Sequence, residues 1–369
     1  MDTLIYSVLP FVGMLVALIV AHEAGHYVTA KMFGVKVLEA GLGYPPRAWG
    51  FTWRDTIYSI NWLPLGGFVR LLGEEDPSHP ESLAAQPAWK RLIVLASGAG
   101  VNIVLPVFLF AIAFMIPRDV PTGPAMITGV IPDTPAFKAG LESGDQILEI
   151  NGRTVKNTTD AGRIIRLNQG ETVAFKVERD DPLQGPQVLT IPVHARWAPP
   201  TYTDDEGVKR RQGPTGILIG NLYSFRESQS FAPWTALGKG WTATWDSLTL
   251  ARNQVVSLFH GGSGPDVAGP VGIADATGEV VKASGWQTLL DFAALLSINL
   301  AIINILPLPM LDGGRIAFVL LEVARGGRRI APEKEAIVHL VGLAFIITMA
   351  VVVTYFDIIR IIGGGSLFE

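Results

Sequence analysis

Four apolar runs decide what this chain can become. A helix that crosses a bilayer needs roughly 20 mostly apolar residues. Three stretches qualify outright: 4–30, 92–116 (LIVLASGAGVNIVLPVFLFAIAFMI) and 337–362. A fourth, 286–308, is apolar but carries Asn299 and Asn304 and runs into Pro307 and Pro309. Those prolines should break or kink it. Composition agrees, with 49% hydrophobic and 17% charged residues, where soluble chains carry about 25% charged. The fold class is therefore a polytopic α-helical membrane protein with four transmembrane helices and additional soluble mass. A net charge of −4 gives no reason to expect nucleic acid. The absence of cysteine excludes disulfides, thiolate metal sites and a cysteine nucleophile. Residues 4–21 could pass for a signal peptide. They lack a basic region before them and a small-residue cleavage site after them, so we read a retained helix.

Charges between the runs set the orientation. The segment 31–91 holds Lys31, Lys36, Arg47, Arg54, Arg70, Lys90 and Arg91, and 312–336 holds Arg315, Arg325, Arg328, Arg329 and Lys334. Four spans place both segments on one side, which the positive-inside rule makes the cytoplasm. The long segment 117–285 then lies outside. Within it, 123–155 reads strand, short helix, turn, strand, with Asn151-Gly152 as a tight hairpin turn. A short helix near 159–168 and alternating runs at 172–178 and 187–194 complete a β-rich domain over 117–196. Residues 197–285 read as a polar linker followed by an amphipathic helix or helix pair. There Trp234, Trp241, Trp245 and Leu250 suit a membrane interface.

The chemistry sits in HEAGH (22–26), at the end of the first run. An ionisable cluster at membrane depth is a functional-site hypothesis by default. On a helix, residues four apart share a face, so His22 and His26 can grip one metal ion. Glu23 lies one residue round, placed to take a proton from water. That is the logic of H-E-x-x-H in zinc peptidases, where zinc activates water and polarises the scissile carbonyl. Such a site needs a third protein ligand. His79, His194 and His260 fall in the wrong places. His339 is possible. Asp312, just past the fourth run and at the depth expected for HEAGH, is the better candidate. The bland alternatives are histidines that bond to neighbours, a turn role for Asp312, and asparagines that join helices.

These motifs resemble the site-2 protease family of intramembrane zinc metalloproteases. HEAGH in the first span, Gly98 to Asn102 as GxxxN in the second, and NxxPxPxLDGG from Asn304 to Gly314 carry the likeness, with GPVGI at 269–273. The bacterial branch that it resembles bears PDZ domains and cleaves membrane-anchored anti-sigma factors. The resemblance implies Zn2+ on His22, His26 and Asp312, with Glu23 as general base. It links Asn304 to catalysis or substrate handling and matches Asn299 to a second asparagine near substrate. It also implies a membrane-associated β-hairpin over 41–73 and one external PDZ (α+β) domain. By this reading 1–116 and 286–369 form the two halves of the protease core.

The expected activity is cleavage of single-span membrane proteins already trimmed outside, or of remnant signal peptides. The setting is the bacterial inner membrane, with the lipid bilayer as solvent and the cut near the cytoplasmic side. We expect an unwound substrate to pair with 56–62 as an added strand, touching Ile57, Ser59 and Asn61. The PDZ domain would bind a peptide or filter by size. Two rivals are a catalytically silent scaffold that gathers partners and a metal transporter. Intact Glu23 argues against the first, and the lone ionisable cluster against the second.

Overall fold

The computed structural model describes residues 4–365 apart from 75, 182, 184, 204–208, 222, 224 and 263–267. A short π-helix, Leu4–Val8, leads into α1 (Leu9–Met32), which is followed by β1 (Val37–Trp53), β2 (Thr56–Leu71) and α2 (Ala88–Met115). Then come β3 (Arg118–Thr122), β4 (Ala125–Val130), α3 (Pro135–Ala139), β5 (Gln146–Ile150), β6 (Arg153–Thr154) and α4 (Thr158–Leu167). Next are β7 (Thr172–Asp181), β8 (Gly185–His194), β9 (Thr201–Thr203), β10 (Lys209–Arg211), β11 (Ile217–Asn221) and β12 (Phe225–Gln229). Five helices close the chain: α5 (Pro233–Phe259), α6 (Pro270–Ser284), α7 (Thr288–Ile305), α8 (Asp312–Ala324) and α9 (Pro332–Ile362). The described chain forms two compact units. One takes Met1–Ala113, Pro233–Thr244 and Val267–Glu369, and the other takes Phe114–Ala232 and Trp245–Asp266.

The first unit holds four helices long and apolar enough to cross a membrane, Ile5–Met32, Ala88–Met115, Thr288–Ile305 and Glu333–Ile362. Those are the four expected, within a few residues at each end. Their outer faces stay apolar and exposed, as at Leu340, Val341, Phe345 and Val351. Several of their polar residues turn inward, with Asn102, Ser297 and Asp357 all buried. Lipid cannot hydrogen-bond, so polar groups must find partners inside the protein. Asp357 shows how. Its carboxylate accepts from the Gly269 and Gly272 amides, both at 2.9 Å, and from Arg360 at 3.1 Å. It thus caps the start of α6, which explains the GPVG run. α1 stops at Gly34, whose φ of 75° lets the chain turn back, and the Val35 amide reaches the Ala30 carbonyl at 2.9 Å.

Strands β1 and β2 form one sheet with more pairing than a hairpin needs. Residues 47–53 pair antiparallel with 56–61, and 37–42 with 67–71. In addition Glu39, Ala40, Gly41 and Leu42 lie beside Ile57, Tyr58, Ser59 and Ile60, both indices rising together. The resulting order is 47–53, 56–61, 37–42, 67–71. This corrects the expected pairing edge. Residues 57–60 have a strand on each side, so a substrate strand cannot add there without displacing one of them.

The second unit is built around a sheet in the order β11-β4-β5-β7-β8, with β6 paired to β5. Alternation in 172–178 buries Val173, Phe175 and Val177, and they pack with Ile127, Ile147, Ile150 and Ile164 in one core. Asn151 and Gly152 both take positive φ, as the two-residue turn between β5 and β6 requires. Asn157 caps α4 by accepting from the Asp160 amide at 2.8 Å. The sheet runs past the expected boundary at 196, because β11 pairs with β4 from Ile217–Val130 to Asn221–Ala125. The linker reading missed this strand, whose partner lies about ninety residues earlier. Residues 233–259 form one helix rather than a pair.

Candidate metal centre

His22 and His26 lie one turn apart on α1, and both are buried. Their Nε2 atoms are 3.2 Å apart. Asp312, the first residue of α8, brings Oδ2 to 3.1 Å from His22 Nε2 and 3.2 Å from His26 Nε2. The three atoms make a nearly equilateral triangle. Ligands of a tetrahedral zinc with bonds of about 2.0–2.1 Å stand roughly 3.3–3.4 Å apart, so the set has the right size.

The surrounding hydrogen bonds select the tautomer that a metal needs. His26 Nδ1 lies 2.8 Å from the Val94 carbonyl, which can only accept. Nδ1 therefore carries the proton, and Nε2 presents a lone pair. His22 Nδ1 lies 3.2 Å from the Asn102 side-chain amide. As placed, the Asn102 nitrogen faces the ring and Oδ1 is buried with no hydrogen-bond partner. The two ends of an amide are nearly indistinguishable by shape. Turning it lets Oδ1 accept from Nδ1–H, which satisfies the orphan oxygen and frees Nε2 of His22 as well. Outer hydrogen bonds of this kind accompany metal-bound histidines. Asn102 is itself held, because the Ser297 hydroxyl on α7 donates to its main-chain carbonyl at 2.9 Å.

Close approaches place these groups. A Cβ at Gly98 would sit against the Nε2 atoms of both histidines, so only glycine leaves the space open. On the other side, the LDGG turn sets Asp312. A Cβ at Gly313 would strike the Ile305 and Leu306 carbonyls, and one at Gly314 the Leu308 carbonyl. Met310 holds φ of 71°, and its amide donates to His339 Nδ1 at 2.9 Å. His339, weighed as a third ligand, thus steadies the loop that carries Asp312. Among the described residues, His22, His26 and Asp312 are the one group of histidines and acids arranged to hold a metal. Glu23, between the two histidines in sequence, lines a cavity of about 380 Å³ between α1 and the β1–β2 sheet.

Residues 10–349 match peptidase family M50. The chain belongs to that family, the site-2 proteases. A Clostridium perfringens protein bearing the zinc-metalloprotease name is 33% identical over 93% of this chain and 96% of its own. Zinc metalloprotease RasP of Oceanobacillus iheyensis is 29% identical over 96% and 99%. Regulator of sigma-W protease RasP of Bacillus subtilis is 28% identical over 96% and 99%. This M50 chain is a metalloendopeptidase with zinc as its cofactor.

The remaining expected residues of this M50 chain fall differently. Asn304, in the last turn of α7, is half-buried, and Asn299 is exposed; neither side chain makes a hydrogen bond with a described residue. Ile57, Ser59 and Asn61 have the wrong parity. Alternate residues face opposite sides of a sheet, and the side turned to α1 shows Tyr58 and Ile60. Ser59 reaches the cavity wall, but its hydroxyl donates to Glu39 at 2.8 Å. Asn61 donates to the Gly43 carbonyl at 3.0 Å. Burial alone would raise the Glu39 carboxyl. Hydrogen bonds from Ser59 and Arg47, with the charges of Arg47 and Arg70, hold it below its ordinary value. Sequence reasoning matched Asn102 to a motif without giving it a task. Its spacing of four from Gly98 carried the signal, since both then face the histidines.

Proposed function

We propose that this M50 chain cuts peptide bonds inside the spans of single-span membrane proteins, near the cytoplasmic face of a bacterial inner membrane. His22, His26 and Asp312 hold the zinc, and Glu23 is the general base. The observation that carries this is the triangle of ligand atoms at 3.1–3.2 Å within the unit that contains the four apolar helices.

Bound there, zinc supplies Lewis acidity, polarising a carbonyl and lowering the pKa of water. Glu23 takes a proton from the attacking water and delivers it to the departing amine, so base and acid are one group. Asn102 and the Val94 carbonyl fix the ring orientations throughout. Asn304 stands as a group for the substrate backbone or the developing oxyanion. The second unit, in this reading, is a PDZ-type domain outside the membrane that restrains access by bulky ectodomains. The B. subtilis relative's name supports a membrane-anchored regulator as the substrate class.

The test is cleavage in liposomes of a model substrate with one helix-destabilised span and a small ectodomain. Wild type should cut within the span. Glu23→Gln should retain about one zinc and lose at least about 100-fold in rate, the lower range for general acid–base catalysis. Equal cutting by both would remove Glu23 from this role. Zinc bound by both with no cutting of any substrate would favour a scaffold.

A further inference from the structure

The cavity beside Glu23 is not explained by zinc chemistry. One wall is the α1 face that presents Val20, Glu23, Ala24 and Tyr27, spaced at i, i+3, i+4 and i+7 so that they share a side. The other wall is the sheet face with Trp49, Phe51, Tyr58 and Ile60. The register aligns these, with Trp49 beside Ile60 and Phe51 beside Tyr58. Trp49, Phe51 and Ile60 are exposed at its outer side, so the cavity can be entered from outside the protein. Its end is tied across, because the hydroxyls of Tyr27 and Tyr58 meet at 2.6 Å. Burial, then the bond to Tyr27, push the Tyr58 phenol up to about 12, so this tie persists at any physiological pH.

We propose that this cavity is a specificity subsite that takes one large apolar side chain of the unwound substrate, from a residue flanking the scissile bond. The assignment rests on Glu23 as the base. A general base must stand within hydrogen-bond reach of the proton that it takes, and consecutive Cα atoms are about 3.8 Å apart. A wall that includes Glu23 therefore lies beside the residues on either side of the cut. Substrate taken from a membrane span brings apolar side chains, and an unwound stretch has lost its own packing. The cavity offers apolar and aromatic surface for one of them. A span with only small residues near the scissile bond would leave the cavity unfilled and be cut slowly.

Two readouts test this. The chain has no cysteine, so Ile60→Cys adds a unique thiol to full-length, zinc-loaded Glu23→Gln protein. Substrates with one cysteine scanned along the span are then offered under mild oxidation. The subsite predicts a disulfide peak within three residues of the bond that wild type cuts. A flat profile, or a peak elsewhere along the span, overturns it. The second readout is selectivity in active protein. Ala40→Leu narrows the cavity, since Ala40 is on the same wall. It should lower kcat/KM at least tenfold for leucine or phenylalanine beside the cut, and less than twofold for alanine. Ile60→Ala, a change in the opposite sense, should raise relative cutting of tryptophan. Unchanged selectivity in both variants would assign the cavity to a lipid chain and end the proposal. Wild-type cutting and zinc-bound, inactive Glu23→Gln check the underlying reading separately, so failure of one is not mistaken for failure of the other.

Discussion

Both units enclose apolar side chains, but they differ in what they leave outside and in what else they enclose. In the second, Phe175, Ile127 and Ile164 are almost wholly enclosed, and the two buried carboxylates, Asp145 and Asp246, are each paired with an arginine. In the first, α9 leaves Leu340, Val341, Phe345 and Val351 exposed, and His22, Asn102, Ser297 and Asp357 are inside. One rule covers both, applied to two solvents. Water drives apolar surface together, whereas lipid leaves apolar surface alone and drives polar groups together. The same substitution should therefore have different costs in the two units.

The largest effect is expected at Phe175. Phe175→Ala should destabilise the second unit by about 3–5 kcal/mol, the range for emptying a packed aromatic site, while zinc stays bound. Thermal unfolding with zinc analysis on the same sample checks it, and loss of zinc together with this unit would break the comparison. Next comes Asn102→Ala. It should leave the spans folded but weaken zinc by roughly 10–100-fold, as losing an orienting partner does. Competition with a chelator measures that, and unchanged affinity would mean that Asn102 only fills space.

Glu322 carries a smaller, pH-dependent effect. Burial alone would raise its carboxyl. Hydrogen bonds from Arg91 and Arg329, with their charges, hold it below the ordinary 4.5. A depressed folded value stabilises above the unfolded value and is lost as pH falls through the folded one. Glu322→Gln should therefore cost about 1.5 kcal/mol at pH 7, and the gap to wild type should close as pH falls through the depressed value. A gap independent of pH would assign the loss to packing. The smallest effect is expected at Leu340→Ala, where lipid replaces one apolar neighbour with another. A change of under about 0.5 kcal/mol, seen as an almost unmoved unfolding temperature in lipid, would sharpen the contrast.

How far each feature could be read in advance follows the same division. The spans and HEAGH are local, written in runs and in a spacing of four, and both emerged directly. Asp312 lay 286 residues from His26, yet membrane depth restricted where a partner for the histidines could be. The sheet resisted. The interior position of 57–60 depends on a strand folded on each side, one of them about eighteen residues earlier. Nothing within TIYSINW shows which of its two faces turns toward α1, so alternation alone does not separate Ile57 and Asn61 from Tyr58 and Ile60, which line the wall. The reach of β11 to β4 was hidden for the same reason. Asn102 was visible as a motif position, and only the ring beside it revealed its task.

Gly98 gives the shortest distance between a living enzyme and a dead one. A single methyl there occupies the point on which both histidines converge. It adds no charge and alters no surface, and its nearest neighbours are the two imidazoles. Gly98→Ala is therefore expected to lose zinc, which metal analysis beside a measure of protein abundance would check. The space that one absent side chain leaves is thus as much a part of the metal centre as the ligands that point into it.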